Sequence, residues 1–396
     1  YSNFYRLPPS NFLVNFEMIS YIIRRLLLMF PTLLGIVTIT FLITQFVPGG
    51  PMDQIKVMLK GHAGAASEAG GAGSARGNKS SDEIDPEQLE KLKKVYHLDR
   101  PVLERYVRTF LWYSPQNPEE PFIDRIFNYA NWEGFLVFKF GNSFYRNSTV
   151  LELIKEKLPV SLSLGVTSFF ISYLVCVILG IAKAVKNGER FDTVTSVIVL
   201  IGYSAPGFVV AIFFIVFFGP GDRALAHLIP LSGLTSAGVP GYGDWSNWDK
   251  LLDYLHHLAA PLICYMLGSF ATLTMLTKNS ILEEMKKQYV ITARAKGLSE
   301  NTVLFKHILK NSLIPLITGF PIGFLSMFFA GSLLLEQIFT LDGLGLLSYQ
   351  AVIQRDYPIV MGSLFIFTLM SLIGQLLTDI SYVIVDRRIS FEESQG

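Results

Sequence analysis

Six stretches of this chain run for 20 to 29 residues without Asp, Glu, Lys or Arg: Leu26–Val47, Leu158–Ala182, Thr193–Gly221, Leu258–Thr277, Asn311–Leu335 and Tyr357–Thr378. A helix rises about 1.5 Å per residue, so roughly 20 apolar residues cross a hydrocarbon core about 30 Å thick. Backbone groups cannot stay unpaired in lipid, so each run is expected to be helical. The pattern predicts an all-α integral membrane protein with six transmembrane helices. Composition agrees, since only 16% of residues are charged, against about 25% in soluble domains. One further uncharged run, Ala224–Gly243, is interrupted repeatedly by Gly, Pro and Ser and reads as a loop.

Lys and Arg in the short loops set the orientation. Lys183, Lys186 and Arg190 follow the second run. Lys278, Lys286, Lys287, Arg294, Lys296, Lys306 and Lys310 lie between the fourth and fifth. The opposite loops hold only Arg223 and Lys250, and Arg355. With six spans, both termini and both basic loops fall on the cytoplasmic side. The expected division is a lead-in at 1–25, a first span at 26–47, a large outer insertion between helices 1 and 2 at 48–157, a transmembrane core at 158–386 with a cytoplasmic loop at 278–312, and a tail at 387–396.

Within the insertion, Gly61–Asn78 is Gly/Ala/Ser-rich and reads as a linker. Asp85–Tyr113 reads as helical, starting at Asp85-Pro86-Glu87 and broken at Arg100-Pro101. Phe122–Arg146 is aromatic-rich and suits packing on a membrane surface.

Several chemistries are excluded by residue supply. A formal net charge of +1 implies no global attraction to nucleic acid. Cys176 and Cys264, both in apolar runs, are the only cysteines, so no multi-cysteine metal centre is possible. Gly73–Ser80 (GSARGNKS) resembles a phosphate-binding loop, but Asn78 separates Gly77 from Lys79. No catalytic constellation and no metal-binding set is present, so an enzyme is not expected.

The informative loop runs from Lys278 to Pro315. It is basic and helix-prone, and Gly297 interrupts it just after Thr292-Ala293-Arg294-Ala295-Lys296. Ser299 is placed to cap a following helix. Two short helices meeting at a glycine turn are expected. Residue chemistry alone leaves two uses open: an amphipathic element on lipid headgroups, or a docking site for a soluble partner.

YVITARAKGLSENTVLFKHILKNSLIP (289–315) resembles the cytoplasmic signature of ATP-binding-cassette importer permeases, in particular the oligopeptide/dipeptide permease family. YIIRRLLLMFPTLLGIVTITFLITQFVPGGP, FGNSFYRNSTVLELIKEKLPVSLSLG and LEQIFTLDGLGLLSYQAVIQRDYPIVMG resemble further parts of the same family, and the Gly/Ala-rich insert resembles its Yej-type branch, which carries peptides and microcin C. Ile291 stands where the general importer motif has Glu, a departure shared by the peptide permeases. Arg387 replaces the Pro of the closing Asp-Pro-Arg-Ile. Met18 resembles the usual start, which makes residues 1–17 an extension.

The resemblance implies one half of a heterodimeric pore working by alternating access. The implied partners are a second homologous permease, an ATP-binding-cassette ATPase with two domains, and a periplasmic peptide-binding protein. ATP and Mg would be bound by the ATPase. Thr292, Ala293, Arg294, Ala295, Lys296 and Gly297 would form the coupling helix, with Arg294 and Lys296 facing acids of the ATPase. Gly202, Pro206 and Gly207, and Gly319, Pro321, Gly323 and Gly331, would let helices bend or pack closely; gating and packing explain them equally. Glu336 is a candidate for the pore mouth or for an interfacial carboxylate. Asp342, Gly343, Gly345, Arg355, Asp356 and Tyr357 would lie near the docked binding protein, and Asp379 is expected to pair with a basic residue. A stand-alone secondary transporter or channel is the competing reading, but such proteins place ionisable groups at mid-membrane depth, and the six runs hold none.

Overall fold

The computed structural model describes residues 11–46, 90, 99–113, 132–219, 229–329 and 333–385. The Gly61–Asn78 linker, the Asp85 helix start, Gly331, the extension at its first ten residues and the tail from 387 lie outside the described residues. Twelve helices carry the argument: α1 Asn11–Phe46, α2 Val102–Phe110, α3 Val150–Val185, α4 Arg190–Ser204, α5 Gly207–Phe218, α6 Asn247–Met285, α7 Gln288–Ala295, α8 Glu300–Ser312, α9 Ile314–Phe329, α10 Leu333–Ile338, α11 Leu344–Gln354 and α12 Tyr357–Val385. A short antiparallel pair, β1 Trp112–Tyr113 and β2 Trp132–Glu133, follows α2. The expected helix therefore ends at Phe110.

Among the described residues, four helices are long and apolar enough to cross a membrane: the Ser20–Phe46 part of α1, α3, α6 and α12. Two bent pairs bring the number to six when each counts as one span. The pair α4–α5 turns by 92°. Pro206 lacks an N–H, and Ala205 before it is extended (φ −89°, ψ 119°), as steric conflict with a following proline requires. The pair α8–α9 bends by 47° just before Pro315. The Ser312 carbonyl at that bend accepts a hydrogen bond from Ser280 Oγ at 2.6 Å, which meets the need of a buried break for a polar partner. α6 has 39 residues, roughly 58 Å at about 1.5 Å each. It therefore extends well past its uncharged run at both ends.

The chain divides into two compact units. The larger holds Lys157–Leu347 and Met370 onward, with the chain start up to Leu27. Its main apolar cluster joins Leu164, Ala211, Leu258, Leu262, Cys264, Leu335 and Phe339. Arg25 and Asp379 form an ion pair there at 3.1 Å, so Asp379 has the basic partner expected.

The second unit holds Leu28–Glu156 and Ser348–Leu369. In the described part of the aromatic segment, from Trp132, Phe135, Phe140 and Phe144 are buried while Leu136, Phe138 and Tyr145 are exposed, and Phe135 and Phe140 stack edge-on with each other at 5.0 Å. Burial of such rings removes far more apolar area from water than a surface-lying arrangement. α3 opens with a reciprocal capping box, in which Thr149 N–H donates to Glu152 Oε2 and Glu152 N–H to Thr149 Oγ1.

Candidate functional site: a helical docking module

The segment after α6 folds as a compact module. α7 ends in a left-handed turn at Gly297 (φ +77°). Gly297 N–H donates to Arg294 C=O at 2.9 Å and Leu298 N–H to Ala293 C=O at 3.4 Å. This pairing is a Schellman cap, which satisfies the last carbonyls of a helix and favours glycine at the turn. Ser299 caps α8, its Oγ accepting from Thr302 N–H. The two expected helices and the glycine turn are thus present, and α8 widens to a π-helical stretch over Val303–Ile308.

One face of the module is internal. Val290 and Ala293 are buried with Ala184, Ile281, Val303, Ile308 and Leu309. Tyr289 Oη donates to Glu284 Oε1 at 2.6 Å and accepts from Asn311 Nδ2 at 3.0 Å, tying α6, α7 and α8 together. The other face is open: Ile291, Thr292, Ala295, Lys296, Gly297 and Leu298 are exposed. Ala293 is therefore a core residue and not part of an approachable surface. Arg294 is committed within the module, since Nε and Nη2 donate to the Glu300 carboxylate at 2.9 and 3.0 Å.

A buried ionic cluster, which sequence reading treated only as topology-setting charge, sits at the base of these helices. Lys183 is fully buried; its Nζ donates to Asp192 C=O, Thr195 Oγ1 and Ser196 Oγ. The Asp192 carboxylate accepts from Lys278 Nζ at 2.8 and 2.9 Å. Charges removed from water persist only when paired and hydrogen-bonded, and this cluster fastens α3, α4 and α6 to one another.

The remaining sequence candidates are scattered. Gly202 lies inside α4, Pro206 at the α4–α5 break, and Gly319, Pro321 and Gly323 inside α9. A Cβ on Gly207 would meet the Cys264 carbonyl at 2.6 Å, so it permits close packing of α5 on α6.

Two acidic candidates are buried and internally hydrogen-bonded. Glu336 is fully buried, and its Oε2 accepts from Leu346 N–H at 2.6 Å. It caps the start of α11. Burial pushes its carboxyl above the usual glutamate range, against the opposing donation of backbone N–H groups. Asp356 is also buried. Its carboxylate takes a short hydrogen bond from Ser143 Oγ and one from Phe144 N–H at 3.2 Å, so it holds the loop before α3 and cannot touch a docked protein. Burial likewise raises its carboxyl. Asp342 is exposed but pairs with Lys157 Nζ at 2.6 Å. Gly343 is buried, Gly345 and Tyr357 are half-buried, and Arg355 is exposed.

Residues 176–391 match the family described as "Binding-protein-dependent transport system inner membrane component". The chain is 45% identical over 387 residues to the inner membrane ABC transporter permease protein YejB of Escherichia coli O157:H7, covering 94% of this chain and 99% of that protein. It is 45% identical to the peptidoglycan transport system permease protein YejB of Agrobacterium fabrum, covering 94% and 98%. It is 31% identical to the oligopeptide transport system permease protein AppB of Bacillus subtilis, covering 94% and 100%. A match over more than half the chain, joined to near full-length identity of this order, makes the chain a member of the binding-protein-dependent family of ABC-transporter permeases, which are multi-pass inner-membrane transport subunits and not enzymes.

Proposed function

We propose that the chain forms one half of the membrane pore of an ATP-driven peptide importer. The observation that carries this reading is the docking module: a rigid, self-capped turn whose inner face is fused to α6 while its outer face remains open. Such a part is suited to seat in a cleft of a separate ATPase and to pass movement to the helices behind it. The oligopeptide and peptidoglycan cargoes named for the relatives support peptides, including short cell-wall peptides, as substrate.

On this reading α4–α5 form one bent span and α9, within the 311–335 run, forms another, giving six, with α8 in the loop that precedes it. Residues 48–157 lie in the periplasm, the permease core occupies 158–386, and both termini and the 278–312 loop are cytoplasmic. The family implies an ATPase and a substrate-binding protein as partners. A second homologous permease completes the pore, and ATP and Mg bind to the ATPase. ATP does work only because the closed ATPase pair binds one pore state better than the other. The exposed turn residues Thr292, Ala295 and Lys296 contact the ATPase, and Gly297 sets the turn that presents them. Ala293 and Arg294 support them from within. Pro206 and Pro321 are the candidate flexure points, and the exposed Arg355 is the candidate contact for the binding protein.

The test is co-purification of the ATPase with the permease pair, followed by ATP hydrolysis and peptide uptake in proteoliposomes. Ala295→Asp places charge on the open face without disturbing the buried one. Loss of ATPase association with normal permease levels is expected. Full association and uptake in that variant would refute the placement.

A further inference from the structure

The unit made of Leu28–Glu156 and Ser348–Leu369 contains a cavity of about 540 Å³, within the size range of small-ligand sites. Its floor is mostly apolar, with Phe41, Phe135, Phe140 and Met361 contributing. Its charged lining among the described residues is Arg105, Arg108 and Lys139 with the carboxylate of Glu133. Arg108 is already paired with Glu104 and Glu133. Arg105 is not paired with any carboxylate among the described residues. Its Nη2 donates to the neutral Gln45 Oε1 at 2.7 Å, and its Nε is buried with no acceptor among the described residues. Burial also lowers the guanidinium below its ordinary value, the direction expected of a cation lacking a counter-ion. A buried donor of this kind is costly unless something accepts from it.

The cavity lies where three candidate spans end. Gln45 is next to the last residue of α1, Thr149 precedes α3, and Tyr357 begins α12. Helix ends of spanning segments mark the boundary between hydrocarbon and water, where lipid headgroups reside. We propose that this cavity is a binding site for an anionic phospholipid. The phosphate would accept from Arg105 and Lys139, and the glycerol and first acyl carbons would rest on the aromatic floor. A peptide fits this lining less well, because each of its residues brings an N–H and a C=O that need partners, and the floor offers mainly rings.

The experiment uses the assembled transporter, purified in mild detergent after exposure to mixed phosphatidylglycerol and phosphatidylcholine. Native mass spectrometry then counts retained lipid. Wild type is expected to keep about one phosphatidylglycerol per chain and little phosphatidylcholine. Arg105→Gln is expected to reduce that retention about tenfold, the scale of one charge-assisted hydrogen bond. If that variant does not assemble, Lys139→Gln is read instead and is expected to lose several-fold. Equal retention of the two lipids, or wild-type retention in both variants, overturns the proposal. Release of the lipid by millimolar inorganic phosphate alone would show a simple anion site, and release by a tripeptide would show a peptide site; either result also overturns it.

Discussion

Gly297 allows a test that separates backbone conformation from surface contact. A Cβ built there meets nothing within 4 Å, while φ is +77°. Inside this chain, therefore, the glycine is required for its dihedral angle alone. Gly297→Ala is expected to cost about 1–2 kcal/mol, the penalty for an ordinary residue in the left-handed region. Asn tolerates that region better, so Gly297→Asn is expected to cost a few tenths of a kcal/mol. At about 1.4 kcal/mol per decade, Ala opens the turn roughly five- to thirtyfold more often. The readout is ATPase co-purification and ATP-dependent peptide uptake at matched permease levels, with thermal stability of the complex measured in parallel. Hypothesis and result correspond directly: association should fall in the order Gly, Asn, Ala. If Asn, with its longer side chain, loses as much as Ala or more while stability stays near wild type, the partner touches this position, and the argument from the dihedral angle fails.

Four further outcomes follow from the same geometry. Ala293→Leu overfills the buried face of the module and is expected to destabilise by about 1–3 kcal/mol, whereas Ala295→Leu on the open face leaves melting temperature unchanged; equal melting temperatures for the two would contradict the assigned faces. Gly343→Ala drives a Cβ to 2.6 Å from the buried Glu336 carboxylate, and a double-mutant cycle with Glu336→Ala is expected to show relief of about 1 kcal/mol or more, so strict additivity is the adverse result. Lys183→Met breaks a buried ion pair and is expected to cost about 3–5 kcal/mol; normal membrane levels and melting behaviour would speak against its burial. Because burial raises the Asp356 carboxyl, the folded state holds its proton more tightly than the unfolded chain does. Wild type should therefore gain stability relative to Asp356→Asn as pH falls through the raised folded-state value towards the usual aspartate range near 4, and a pH-independent difference would exclude that contribution.

The four long apolar helices were legible because lipid imposes a length and a ban on charge, both of which can be counted in a linear string. The glycine turn was legible for a related reason: Ser299 and Gly297 act on backbone groups only a few residues away. The two bends were only half legible. Pro206 and Pro315 announce interruptions, but a 92° turn at one and 47° at the other depend on what packs nearby. At the second, the Ser280 hydroxyl, 32 residues distant, accommodates the freed carbonyl. Trp112–Tyr113 was misplaced on a helix because its strand partner, Trp132–Glu133, lies beyond any local window.

The acidic residues show where sequence reading fails and why. Glu336, Asp356 and Asp192 each stand at the edge of an apolar run, where charge ordinarily means solvent or a passing substrate. All three are instead buried. What makes burial affordable is a set of donors that sequence cannot place: Leu346 N–H ten residues on for Glu336, Ser143 Oγ 213 residues back for Asp356, and Lys278 86 residues on for Asp192. A carboxylate surrounded by fixed donors holds loops and helix starts at defined angles, because moving them would strand a buried charge. These residues therefore act on the rigidity of the frame. On the proposed function, the groups left to meet partners are exposed on the turn after α7: Ala295, Lys296 and Leu298, beside Thr292, whose hydroxyl donates to the Gln288 carbonyl and leaves its methyl group outward.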